Sequence, residues 1–202
     1  MTSAHRSSKK VLLIAPKGFE DIEVAAFTDI LGWTRILKET GPVELEITGF
    51  KRYVTSKHGL TIRTDMLIKD VKPENYCAVI IPGGFNDSGW TEVYKKPVLD
   101  LIKTIYTNNG IITAMCVASM AVANSGILKG KKATTYIKSK RHDNLQVLRD
   151  FGAQAVKRRI VIDDRIITNR GPDTSIDVAF ILLEMLNGKK EAAMIKNALM
   201  YK

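Results

Sequence analysis

Short continuous apolar runs alternate with amphipathic stretches along most of the chain. Residues 10–15 predict a strand that ends at Pro16-Lys17-Gly18, and residues 20–38 carry a helical period that stops before Gly41-Pro42. Residues 43–50 read as a second strand, and 53–64, with Lys57-His58-Gly59 at the middle, as a hairpin of two short strands. Residues 77–81 form an apolar strand that runs into Pro82-Gly83-Gly84. A helix over 97–108, with proline in its first turn, leads to a buried strand over 110–115 and a small-residue helix over 117–124. Residues 133–136 read as strand and 144–151 as helix. Residues 155–162 and 165–168 read as a hairpin around Asp163-Asp164. Helices over 174–186 and 190–200 complete the pattern.

Uninterrupted apolar strands separated by helices imply a mostly parallel sheet with helices on both faces, an α/β fold. In such sheets ligands bind beyond the carboxyl ends of the strands. Three of those ends stand out: Pro16-Lys17-Gly18, Pro82-Gly83-Gly84 and Met115-Cys116. Residues 1–9 read as a disordered arm and 10–202 as one domain, with no linker or internal repeat between them.

Composition narrows the classes. With 202 residues, 45% hydrophobic and 26% charged, the chain can bury a core unaided, and it holds no apolar run of membrane-spanning length. The polar start lacks the apolar stretch of a secretory signal, and two cysteines make no disulfide framework. Both point to a reducing compartment, and a cytoplasmic location is expected. Asn86-Asp87-Ser88 then matches a glycosylation acceptor by chance. The net charge is +10, with much of the excess between residues 129 and 159. A solvated surface explains such a run without a partner, and no nucleic-acid-binding motif accompanies it, so nucleic acid is not an expected partner.

Cys116 is the first candidate for chemistry. The strand ending at Met115 meets the next helix with no loop between them, which puts Cys116 on a tight turn similar to a nucleophile elbow. Ala114, Ala118 and Ala121 allow that turn, and the helix dipole there favours a thiolate. The alternative is a buried, inert cysteine, the role expected of Cys77 in its apolar strand. Glu23 is the second candidate. At 100° per residue it falls inside the apolar stripe of Phe19, Ile22, Ala26, Ile30, Trp33 and Leu37, opposite Asp21, Thr28 and Arg35. A carboxylate there is costly unless paired or protonated, and the alternative is one satisfied by a neighbouring loop. Glu20 lies at the stripe's edge. Gly83 and Gly84 could turn amides toward a developing oxyanion, or form a plain tight turn. His5, His58 and His142 complete no triad. No phosphate loop, dinucleotide fingerprint or metal-ligand spacing occurs, so neither cofactor nor metal is expected.

Five segments in order carry a resemblance over residues 10–199. They are Lys17-Gly18-Phe19-Glu20-Asp21-Ile22-Glu23, Ile81-Pro82-Gly83-Gly84, Thr113-Ala114-Met115-Cys116-Val117-Ala118, Ala133-Thr134-Thr135-Tyr136 and residues 167–175 around Asn169-Arg170-Gly171-Pro172. Together they resemble the ThiJ/PfpI superfamily, in the ThiJ-like branch that includes the parkinsonism-associated protein. The resemblance implies a flavodoxin-like three-layer sandwich and a homodimer. It also implies a reactive Cys116, a carboxylate partner at Glu23, and an oxyanion site from amides near Gly84 and at Val117, without a cofactor. Protease-like relatives carry His where this chain has Val117, which argues against a Cys-His peptidase. Some dicarbonyl-active relatives carry His at the place of Tyr136.

The reading that follows is a cofactor-free cysteine enzyme acting on a small electrophilic carbonyl, as a glyoxalase or deglycase does. One alternative is a stress-response protein, a chaperone or a sensor that oxidises Cys116 without turnover. Another is an amidase, peptidase or isocyanide hydratase.

Overall fold

The computed structural model describes residues 8–140 and 142–201. The expected arm lies outside them except for its last residues, and Lys9 already belongs to the first strand. That strand, β1 (Lys9–Ile14), leads into α1 (Ile22–Trp33) and β2 (Val43–Gly49). The small strands β3 (Tyr53–Thr55), β4 (Thr61–Arg63) and β5 (Met66–Leu67) follow. Next come β6 (Ala78–Ile81), α2 (Lys96–Thr107), β7 (Ile111–Ala114) and α3 (Ala118–Asn124). The last part holds β8 (Lys132–Ala133), α4 (Asn144–Asp150), β9 (Gln154–Ala155), β10 (Ile160–Asp163), β11 (Ile166–Asn169), α5 (Ser175–Asn187) and α6 (Lys189–Ala198).

The main sheet has the order β10-β11-β7-β6-β1-β2-β5 and is parallel except at its antiparallel edge β10. Strand residues alternate between two cores. Leu12, Ile14, Val79, Ile81 and Ile112 pack under α2, α3 and α4. Val11, Leu13, Ile80 and Ile167 pack under α1, α5 and α6. Both faces are therefore covered, which is why these strands are apolar throughout. This is the flavodoxin-like three-layer sandwich.

Four local expectations need correction. α1 starts two residues late, because Glu20 N–H donates to Gly83 C=O instead of entering the helix. It ends early at Trp33. There the Thr34 hydroxyl donates to Leu31 C=O at 2.6 Å and accepts Val43 N–H at 2.9 Å, which turns the chain into β2. Ile22, assigned to the buried stripe, sits at its margin and is 45% exposed. The strand over 133–136 shrinks to β8: the Thr134 N–H donates to the Thr168 hydroxyl at 3.0 Å instead of to a ladder carbonyl. The strand over 155–162 is broken, since β9 pairs with β8 and only β10 pairs with β11.

Candidate active site

The site sits at the carboxyl ends of β1, β6, β7 and β11, the four central neighbours of the sheet. Cys116 follows β7 after one residue, Met115, and has φ of 53°, the left-handed region that a non-glycine residue enters at a cost. Neighbours hold it there. Its N–H donates to Asn169 Oδ1 at 2.6 Å. Its C=O accepts from the Thr135 hydroxyl at 3.0 Å and the Ser119 hydroxyl at 3.2 Å. Asn169, fully buried at the end of β11, is fixed in turn by donating to Thr174 Oγ1 at 2.6 Å and Gly171 C=O at 3.1 Å.

Glu23 is fully buried, as its place in the stripe requires. Its Oε2 accepts the Gly83 N–H at 2.7 Å, and its Oε1 has no hydrogen-bond partner among the described residues. Burial pushes its pKa up to about 8; the Gly83 amide pulls it down and Glu20 adds a smaller push upward. At neutral pH the group is therefore mostly a carboxylic acid.

Gly83 brings the acid and the thiol together. A Cβ placed on it would lie 2.8 Å from Cys116 Cβ and 2.9 Å from Glu23 Oε2. Gly84 is needed for a different reason. A Cβ there would meet the buried Trp90 ring at 2.1 Å and Gly18 C=O at 2.5 Å. Segments 18–20 and 83–85 pair as a short antiparallel bridge through the N–H groups of Glu20 and Phe85. That pairing leaves the Gly84 N–H facing away from Phe19.

Cys116 is a partly exposed residue and lines a pocket of about 500 Å3. Gly84, Val117 and Tyr136 line it too, with Phe85 and Trp90 on the apolar side. Burial pushes the thiol pKa up, and the charge of Glu23 adds to this whenever Glu23 is ionised; the Val117 N–H pulls it down. This corrects the expectation that the helix dipole would dominate: α3 has only two turns, and desolvation outweighs it. Cys77 is also free, and its thiol donates to Lys10 C=O at 3.2 Å.

Of the residues singled out from sequence, Cys116, Gly84, Val117 and Tyr136 face the pocket, while Glu23 and Gly83 stand behind the thiol. Glu20 and His142 line the pocket as well. His58, at the hairpin tip, approaches Glu20 at 3.5 Å. The fold brings potential ligand atoms of Glu20, Asp21 and His58 within 4.8 Å of one another, a grouping that could accept a divalent cation and that spacing alone did not reveal. Asn169 and Trp90 were missed. The signal for Asn169 was a lone amide at the end of an apolar strand, which is where strand-end chemistry is expected.

The sequence profile of the DJ-1/PfpI family matches residues 9–185. The chain belongs to the DJ-1/PfpI family. Among its relatives, glutathione-independent glyoxalase DJR-1.2 of Caenorhabditis elegans is 29% identical over 185 residues, covering 90% of each chain. Deglycase PfpI of Pyrococcus furiosus is 28% identical, covering 81% of this chain and 90% of its own. The chain spans only 42% and 47% of the Arabidopsis thaliana DJ-1 homologues B and A. The crystal structure of Drosophila melanogaster DJ-1beta superposes with a TM-score of 0.82 at 24% identity, covering 96% of this chain and 99% of that one, a likeness of fold. Family membership thus agrees with the resemblance read from the five segments.

Proposed function

We propose that the protein is a cofactor-free cysteine enzyme that converts small 2-oxoaldehydes such as methylglyoxal to 2-hydroxy acids. The observation that carries this reading is the packing of Cys116 and a protonated Glu23 against one glycine, at the floor of a pocket. The nematode and archaeal relatives, a glyoxalase and a deglycase, point the same way.

The chemistry needs one thiol, one acid–base group and water. Cys116 Sγ adds to the aldehyde carbon as the thiol proton passes to the aldehyde oxygen, and a hemithioacetal forms. The N–H groups of Gly84 and Val117 stabilise the oxyanion, while the Cys116 N–H takes no part because Asn169 holds it. In its ionised form Glu23 takes the proton from the aldehyde carbon and returns it to the neighbouring carbonyl carbon, while the hydroxyl proton passes between the two oxygens, which leaves a thioester. Water then cleaves the thioester, releasing lactate and restoring the thiol. The net change is addition of one water, with one carbon oxidised and its neighbour reduced. Tyr136 lines the substrate's side of the pocket.

The deciding experiment is methylglyoxal turnover by purified wild-type protein beside Cys116→Ser. Lactate from the wild type alone supports the enzyme. If both proteins leave methylglyoxal untouched while dilute peroxide carries Cys116 to the sulfinic acid, the protein is an oxidation sensor, a reading that this partly exposed residue also supports.

The reading includes a homodimer and a cytoplasmic setting. The exposed Ile22 and Tyr53 offer apolar surface to a second copy, and both cysteines are free. No described helix is long and apolar enough to cross a membrane. A light-scattering mass near 22.5 kDa at micromolar concentration would remove the dimer.

A further inference from the structure

The basic stretch between Lys129 and Arg159 takes no part in the chemistry above, yet it adjoins the site. Ser139 and His142 line the Cys116 pocket and also a second cleft of about 640 Å3. Lys140, Arg149 and Lys157 line that second cleft. Among the described residues none of these three cations enters an ion pair; the neighbouring pairs use Lys131, Arg159 and Arg170. The cleft's one carboxylate, Asp143, caps α4 through its Oδ1, which accepts the Leu145 and Gln146 N–H groups, and the three cations outnumber it.

Three cations around a concavity focus a positive potential inside it. At the outer margin Arg159 and Arg170 pair with Asp173, and Arg159 pairs with Asp177 as well. One compact dianion in the cleft needs only what is there. Methylglyoxal is neutral and uses neither the cleft nor its charge.

We infer that the pocket and the basic cleft together receive a carbonyl compound that carries a phosphate group. Its carbonyl carbon meets Cys116 and its phosphate lies among Lys140, Arg149 and Lys157. This assignment rests on the proposed chemistry at Cys116 only for the identity of the reacting end. The phosphate makes and breaks no covalent bond; it anchors. Ammonium and guanidinium donors suit its oxygens.

The test is protection of Cys116 from iodoacetamide, followed by mass spectrometry, which reads the cleft whether or not methylglyoxal is turned over. Glycerol 3-phosphate and glucose 6-phosphate are compared with glycerol, glucose and inorganic phosphate, in the wild type and in a Lys140→Ala/Lys157→Ala variant. Both lysines are exposed, so the variant keeps its core. The expected result is alkylation slowed at least about fivefold by a phosphorylated compound and not by its neutral parent. That protection falls by at least about fivefold in the variant and in high salt. Equal effects of phosphorylated and neutral compounds would overturn the inference, as would protection unchanged in the variant. Protection by inorganic phosphate equal to that by the sugar phosphates would also overturn it, since the cleft would then be a site for the free ion. Failure of methylglyoxal turnover with protection intact would defeat the proposed activity and leave this inference standing.

Discussion

The backbone N–H of Cys116 is held by the side chain of Asn169 at 2.6 Å, so the conformation of Cys116 depends on a residue 53 positions away. Removing that amide leaves the Cys116 N–H without its partner and takes one of two from the Thr174 hydroxyl, which still donates to Gly171 C=O, a loss of roughly 1–3 kcal/mol. It also frees Cys116 to leave its left-handed conformation. Asn169→Ala is therefore expected to lower the melting temperature and to cut kcat for methylglyoxal at least about tenfold, with a smaller change in KM. Wild-type kcat in a folded Asn169→Ala protein would show that the elbow holds itself.

Glu23 makes stability depend on pH with a definite sign. Its carboxyl titrates near 4.5 when unfolded and near 8 when folded, so between those values the folded protein binds more protons than the unfolded chain. Stability then falls as pH rises through that window and levels off above it, by up to on the order of 4 kcal/mol. Glu23→Gln keeps an acceptor for the Gly83 amide and carries no ionisation cost. It should match the wild type near pH 5 and exceed it near pH 9 in urea denaturation. Parallel curves across the range would show that Glu23 ionises freely in the fold. In either case turnover by Glu23→Gln should drop at least about a hundredfold, because its amide cannot move a proton.

The two thiols should differ in reactivity. Cys116 opens to the pocket and has the Val117 N–H to stabilise its thiolate, whereas Cys77 donates its proton to Lys10 C=O. Under limiting iodoacetamide, peptides containing Cys116 should carry the label first. Prior labelling of Cys77 would contradict this order.

Gly83 and Gly84 should tolerate alanine differently. In Gly83→Ala the new methyl enters the space between Cys116 and Glu23, so activity is lost while destabilisation stays near 1–3 kcal/mol. In Gly84→Ala it meets the Trp90 ring and the Gly18 backbone, neither of which can swing away. Circular dichroism melts should rank Gly84→Ala below Gly83→Ala. The reverse ranking would show that Trp90 repacks at little cost.

Much of this arrangement was legible in the chain itself. The parallel sheet followed from strands with no polar face, and Glu23 announced itself as a charge inside an apolar stripe. Cys116 did so by leaving no residue for a loop between strand and helix. What escaped depends on contacts between distant segments. Asn169 matters because β11 lies beside β7, and no local pattern records that neighbourhood. Thr134 and Thr135 have strand propensity, but the Thr134 N–H found a side-chain acceptor, Thr168, on a distant strand. Ile22 was assigned inward by angle alone, while exposure is decided by what packs opposite. The thiol's pKa was judged from the helix, when the surrounding apolar walls decide it.

The order of strands in the sheet also bears on how the site would fail. Its groups hang from β1, β6, β7 and β11, and the edge strands β10 and β5 supply none of them. Fraying begins at edges and spares interior strands until the whole domain opens. Loss of activity on heating should then coincide with global melting rather than precede it. Amide protons of residues 112–114 should be among the last to exchange. A catalyst assembled this way has no half-working, partly melted form; it is retired only together with its fold.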